Sequence, residues 1–184
     1  MFPRFVALAE AAPDAPALIA GATGRTTSRR ALLDRARSLA ATFHDAGLTR
    51  GDLLGVQLPN SVDFVAAWLA AIHEALVFVP IDRDAPEVEV GQILSHFAVK
   101  GLLYRPDRSS ERATITTRIV DLGHATLPRE ARLIKLTSGS TGLPKGIVAS
   151  EANLIADFEN ISSSMGIAAG DLNFGAIPFS HSYG

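Results

Sequence analysis

Short apolar runs alternate with amphipathic helical stretches along most of this chain, and that alternation restricts the fold more than any other feature of the sequence. Residues 53–58 (LLGVQL), 77–81 (VFVPI), 101–104 (GLLY) and 133–137 (LIKLT) have the length and apolarity of buried strands. Ser28 is placed to cap a helix over 29–46, with Leu32, Ala36, Leu39, Ala40 and Phe43 on one face and Gly47 at its end. Pro59-Asn60-Ser61 reads as a turn that caps a second helix running to about residue 75. Val65, Trp68, Leu69 and Ile72 form its buried stripe, so Trp68 is expected in the core. Pro86 opens a third helix through residue 97, and Ser150 caps a fourth to residue 165. Further strands are expected at 115–122 and 147–149, a polar surface loop at 105–114, and a last regular segment at 172–177. Strands and helices alternating at these lengths predict an α/β fold with a largely parallel sheet flanked by helices.

Composition narrows the function classes. Hydrophobic residues make up 47% and charged residues 20% of the 184, which suits a chain with a sizeable core. A net charge of −2 with interspersed signs provides no basic stripe for nucleic acid and no polybasic anchor. There is no cysteine, hence no disulfide framework, thiolate metal site or thiol nucleophile. The longest apolar stretch, 64–81, is interrupted by His73, Glu74 and Pro80, and reads as an amphipathic helix entering a buried strand rather than a membrane span. The first sixteen residues carry Glu10 and Asp14 and lack the apolar core of a secretory signal. A cytoplasmic location is expected.

The chemistry concentrates in residues 136–146, LTSGSTGLPKG. A strand ending at Leu136 runs into a loop of hydroxyl residues and glycines that closes on Lys145 and Gly146. Backbone N–H groups, hydroxyls and one ammonium converging on a compact anion are what a polyphosphate requires. Gly139, Gly142 and Gly146 are expected to turn N–H groups toward the ligand with no side chain in the way. A nucleotide P-loop, G-x-x-x-x-G-K-[ST], fails here, because Pro144 precedes Lys145 and Gly146 follows it. A plain Gly/Ser connector would not carry a Pro-Lys pair between apolar strands.

With its lead-in RLIKL and continuation GIVASEANL, this string closely resembles the phosphate-binding signature of the adenylate-forming (AMP-binding) superfamily. That superfamily comprises acyl- and aryl-CoA synthetases, nonribosomal peptide adenylation domains and luciferases. PDAPAL, the stretch from TTSRRALLDRARSLAATF to LPNS, and VFVPIDRDAP followed by QIL resemble its N-terminal landmarks in the same order. IPFSHSYG resembles the P-x-x-H-x-x-G element of its acyl- and aryl-CoA synthetase branch, which favours an acyl or aryl acid over an amino acid. Three positions depart from the pattern: Ala75 where Gly is usual, Arg83 where Pro is frequent, and Glu151 where His is often found.

The resemblance implies a ligase in which a carboxylic acid attacks the α-phosphorus of ATP, and a thiol of CoA or a phosphopantetheinyl carrier then takes the acyl group. It assigns Thr137, Ser138, Gly139, Ser140, Thr141, Gly142 and Lys145 to the phosphates and His181 to the acyl-adenylate. It also implies a Glu for Mg²⁺, an Asp for the ribose and a catalytic Lys in segments that this sequence lacks. Residues 1–184 are therefore expected to be the N-terminal part of an AMP-binding domain, an incomplete lobe inactive alone, whose sheet edges self-associate or bind a partner. The rival class is a noncatalytic interaction module derived from the same family. His44, His73, His96 and His124 have no metal-ligand spacing and are expected to be structural or superficial. Asp82 and Asp84 suit a turn and helix cap better than an acid/base pair.

Overall fold

Serine caps begin three of the helices. The computed structural model describes residues 1–107, 115–120, 125–137 and 144–181. Helix α1 (Phe2–Ala11) and a small antiparallel pair, β1 (Pro16–Ile19) with β2 (Thr26–Ser28), precede α2 (Arg29–Asp45). The Oγ of Ser28 accepts the Ala31 N–H at 3.2 Å, and all five expected apolar residues of α2 are buried. β3 (Leu53–Gln57) leads to α3 (Val62–His73), which Ser61 caps by accepting the Phe64 N–H at 3.2 Å. β4 (Val77–Pro80), α4 (Glu87–Phe97), β5 (Gly101–Tyr104) and β6 (Thr116–Ile119) follow. β7 (Ala131–Thr137) and β8 (Lys145–Ser150) flank the glycine loop. α5 (Glu151–Met165) closes the series behind a capping box between Ser150 and Asn153.

The main sheet has the order β6-β5-β3-β4-β7-β8. β3 pairs in parallel with β4 and with β5, and β4 in parallel with β7 through Phe78↔Leu133. Both edge strands, β6 and β8, are antiparallel. Alternation along each strand divides the core in two. Leu54, Val56, Phe78, Leu103 and Leu133 pack with α2 and α3, whereas Leu53, Val77, Val79, Leu102 and Ile134 pack with Val90, Ile93 and Leu94 of α4. Trp68 is half-buried, edge-on to Phe78 with centroids 5.1 Å apart.

Two consequences of this topology position the site. The carboxyl ends of β3, β4, β5 and β7 all lie at one end of the sheet. The chain leaves β3 for α3 on one face and β4 for α4 on the other, which creates a switch point between these two strands, the usual place for a ligand crevice in open α/β sheets.

Three features differ from expectation. α1, β1 and β2 were not expected, although Phe2, Phe5, Val6 and Ala9 carry the 3.6-residue spacing of a helix in α1. Residues 172–177 form no strand; Leu172 and Phe174 are exposed there, so no facing layer rewards extended pairing. Gly146 is a strand residue opposite Leu136 rather than part of an anion-binding turn, and an added Cβ would lie 2.6 Å from Ile134 Cγ2 and 2.8 Å from Phe97 Cε1. Its smallness serves close packing.

Candidate functional site

Because β7 is parallel to β4, Thr137 sits at the same end of the sheet as the switch point. Antiparallel register places Thr137 directly opposite Lys145, and the Thr137 hydroxyl donates to the Lys145 carbonyl at 3.4 Å. The Lys145 side chain is on an exposed residue. A hydroxyl residue and a lysine thus stand opposite each other where the strands meet the loop, residue types that suit phosphate oxygens once the Thr137 hydroxyl turns from the Lys145 carbonyl to a ligand. Ser138, Gly139, Ser140, Thr141 and Gly142 lie outside the described residues.

His181 comes to this same end of the molecule through its main chain. Asn60, in the turn after β3, donates its amide to the carbonyls of Gly175 (3.1 Å) and Ile177 (2.8 Å) and accepts the Phe179 N–H (2.7 Å). Lys135 of β7 donates to the carbonyls of Phe179 (3.4 Å) and His181 (2.6 Å). Its ammonium is half-buried, and desolvation holds its pKa below the ordinary lysine value. Phe179 tilts against Phe64 with centroids 5.4 Å apart.

Sequence reasoning missed both of these tethers. Asn60 was read as part of a turn, and it does precede the Ser61 cap, but its carboxamide works on a segment more than a hundred residues away. Lys135 passed as one polar residue in an apolar strand; a cation midway along such a strand was the available signal.

Other polar groups at this end are structural. The Gln57 amide donates to the carbonyls of Asp82 and Ala85, fixing the loop after β4. Asp84 N–H donates to Asp82 Oδ1 at 2.8 Å, an Asx turn as expected, but neither carboxylate caps α4, whose N-cap is Pro86 with no side-chain hydrogen bond. Asp63 bridges Arg35 (2.8 Å) and the buried Arg105 (2.6 Å), tying α2, α3 and the exit of β5 together. His73 stacks on Phe2 and His96 meets the edge of Phe97. His124 lies outside the described residues. Among the described residues no group of three His, Cys, Asp or Glu is arranged to hold a metal ion.

An open cleft of about 260 Å³ lies at the opposite, amino end of the strands, lined by Arg50, Leu53, Val77, Lys100 and Arg129 among others. Asp52 lies in its wall, engaged by Lys100 at 2.6 Å and by the N–H and hydroxyl of Thr49. Burial alone would raise the Asp52 carboxyl, but these hydrogen bonds outweigh it and hold the group below the usual carboxylate range.

The family model described as AMP-binding enzyme matches residues 5–184. The hybrid PKS-NRPS synthetase buaA of Petromyces alliaceus is 27% identical over 183 residues, covering 90% of this chain and 5% of that protein. Phenyloxazoline synthase MbtB of Mycobacterium sp. (strain MCS) is 31% identical over 169 residues, covering 86% of this chain and 14% of its own. The crystal structure of VinN aligns with a TM-score of 0.81 at 19% identity, over 99% of this chain and 51% of that one. The N-terminal subdomain of Klebsiella oxytoca NpsA, in complex with 3-hydroxybenzoyl-AMSN, aligns with a TM-score of 0.61 at 23% identity, over 82% and 40%. At these identities the structural matches show the fold. The chain spans 14% or less of the two synthetases and about half or less of the two solved structures.

Proposed function

This chain belongs to the AMP-binding enzyme family, and from that premise we propose that residues 1–184 are the N-terminal, phosphate-gripping part of a ligase that activates a carboxylic acid with ATP. The observation that carries this reading is the pairing of Thr137 with Lys145 across the mouth of the glycine loop, at the carboxyl end of the parallel strands. In the reaction a carboxylate oxygen attacks the α-phosphorus, the bond to the bridging oxygen breaks, and pyrophosphate leaves with the charge. Donors already aimed at the departing oxygens lower that barrier without reorganising. Thr137, Ser138, Gly139, Ser140, Thr141 and Gly142 supply these donors and Lys145 a positive charge, with His181 beside the carboxylate or nucleotide. Mg²⁺ would accompany the ATP and take its protein carboxylate from outside this chain.

The acceptor is a thiol. The synthetases among the relatives favour a phosphopantetheinyl carrier, while the P-x-x-H-x-x-G element ending in Gly184 favours CoA and an acyl or aryl acid. Carboxylate-dependent ATP–pyrophosphate exchange, run across amino, aryl and fatty acids with the longest form of the protein that can be produced, tests the activity and chooses between these acceptors' usual acids. Lys145→Ala should lower the exchange rate by about a hundredfold at fixed ATP. An unchanged rate and ATP affinity would remove Lys145 from the site.

A second reading rests on a different observation. Ile147 and Val148 of the edge strand β8 and Phe158, Ile161 and Met165 of α5 are exposed. Ile147 and Val148 project to opposite sides of this unpaired edge, and an exposed edge strand beside an apolar helix suits a noncatalytic module that pairs with another polypeptide. Absence of any exchange activity, with stable association with another chain, would favour it.

A further inference from the structure

A chain segment without regular structure must satisfy its backbone polar groups through side chains or water. Residues 171–177 are in that situation, and burial does little to hold them: Leu172 is 79% and Phe174 85% exposed. Phe179 rests against Phe64, and the polar groups of the stretch from Gly175 to His181 are engaged by the pair of side chains described above. The Asn60 carboxamide presents a donor face and an acceptor, so it engages two carbonyls and one N–H of the segment at once. Lys135 supplies an ammonium whose three N–H donors reach two further carbonyls, the closer being that of His181 itself.

The origins of the two tethers matter as much as their bonds. Asn60 stands just beyond β3, beside the switch point, whereas Lys135 stands on β7 two residues before Thr137. Strand alternation directs Lys135 and Thr137 to the same face of the sheet. The lysine therefore connects the strand that opens into the glycine loop with the backbone of the histidine.

We propose that Asn60 and Lys135 are positioning residues that hold the main chain of 175–181 so that His181 stands at the carboxyl end of β7, and that Lys135 couples its placement to the strand that carries Thr137. Neither residue touches the reacting atoms; each acts through His181. The inference rests on the reading of His181 as a site residue, but the holding of the segment can be measured without any activity.

The test compares wild type with Asn60→Asp, Lys135→Met and Lys135→Arg. Asn60→Asp keeps the acceptor for Phe179 and replaces the donor toward two carbonyls by an oxygen. Lys135→Met keeps the apolar stem without the ammonium, and Lys135→Arg restores donors. Hydrogen exchange of the 184-residue chain should show amides of 175–181 exchanging about tenfold faster in Asn60→Asp and Lys135→Met, with α2 and β3 unchanged and Lys135→Arg close to wild type. In the pyrophosphate-exchange assay, Lys135→Met should lower kcat by about tenfold or more with the KM for ATP little changed. It should add nothing in a His181→Ala background, because a residue acting through His181 has no effect once the ring is gone.

Unchanged exchange in the segment overturns the tether. Faster exchange with an unaltered kcat, or effects that add to that of His181→Ala, overturns the positioning role. A wild-type protein inactive in the assay would sink the proposed activity and with it the role at His181, while the amide measurements would still decide whether the tether exists. Should Lys135→Met loosen the whole fold, Asn60→Asp, at an exposed residue, carries the same comparison.

Discussion

Ala75 adopts φ 54° and Ala98 φ 52°, the left-handed region in which a Cβ crowds the neighbouring backbone. At Ala75 the strained residue joins α3 to β4, its carbonyl accepting the Gly51 N–H at 3.0 Å. The family pattern has glycine at this position, and the backbone angle is the physical reason for it. Ala75→Gly should raise stability by about 0.5–1 kcal/mol, relief of strain outweighing the added freedom of the unfolded chain. Urea denaturation reads this as a higher midpoint at constant slope. Gly146 presents the opposite case. Gly146→Ala drives a methyl into Ile134 and Phe97 and should destabilise by about 1–3 kcal/mol in the same experiment. The departure at Ala75 was visible in the sequence, but the sign of φ was not. The packing role of Gly146 was hidden because it depends on Phe97, nearly fifty residues away.

At the scale of elements, what could be read from sequence was what local physics decides. Ser28, Ser61 and Ser150 cap the helices they were expected to cap, since an N-cap hydroxyl acts within three residues. The buried stripe of α2 followed from its 3.6-residue period. The small antiparallel pair before α2 is local, but its strands of four and three residues are too short to show alternation; the irregular course of 172–177 did not follow because its tethers lie far away in sequence. The same distinction applies to the site. The loop chemistry was legible, whereas Asn60 and Lys135 acquire their roles only through contacts made across the fold. The ion pair that fastens the start of β3 is another such contact: Asp52 with Lys100 at 2.6 Å, Lys100 also donating to the Gly47 carbonyl. The Asp52 pKa is lowered in the folded state, so its stabilisation is fully present above the unfolded carboxylate value and disappears as pH falls through the folded one. Asp52→Asn should cost about 1–3 kcal/mol at pH 7. The difference from wild type should begin to shrink as pH falls through the ordinary carboxylate value, about 4, and vanish only at lower pH, once the native carboxylate is protonated as well; parallel denaturation series read this.

For the molecule as a whole, the β8–α5 side is the exposed one. An edge strand with Ile147 and Val148 uncovered and a helix presenting Phe158, Ile161 and Met165 predict self-association of the 184-residue chain at micromolar concentrations and above. Light scattering should show a mass that rises with concentration, and Ile147→Lys with Phe158→Glu should return it to the monomer. No helix among the described residues is long and apolar enough to cross a membrane, so that surface is not part of a helical span. The pairing of β4 with β7 has a mechanical meaning of its own. The N–H groups of Val77 and Ile81 point to β3, donating to Asp52 and Val56, so alternation directs the position of Pro80 toward β7, and proline has no N–H to give. Only Phe78↔Leu133 registers across that line, whereas β7 and β8 pair along most of their length. The ladder between β4 and β7 is therefore short, although the two strands stay packed side by side. Asn60 follows β3 on one side of that line and Lys135 stands on β7 on the other, so the segment they grip bridges the shortest ladder of the main sheet and adds hydrogen bonds where proline removes one.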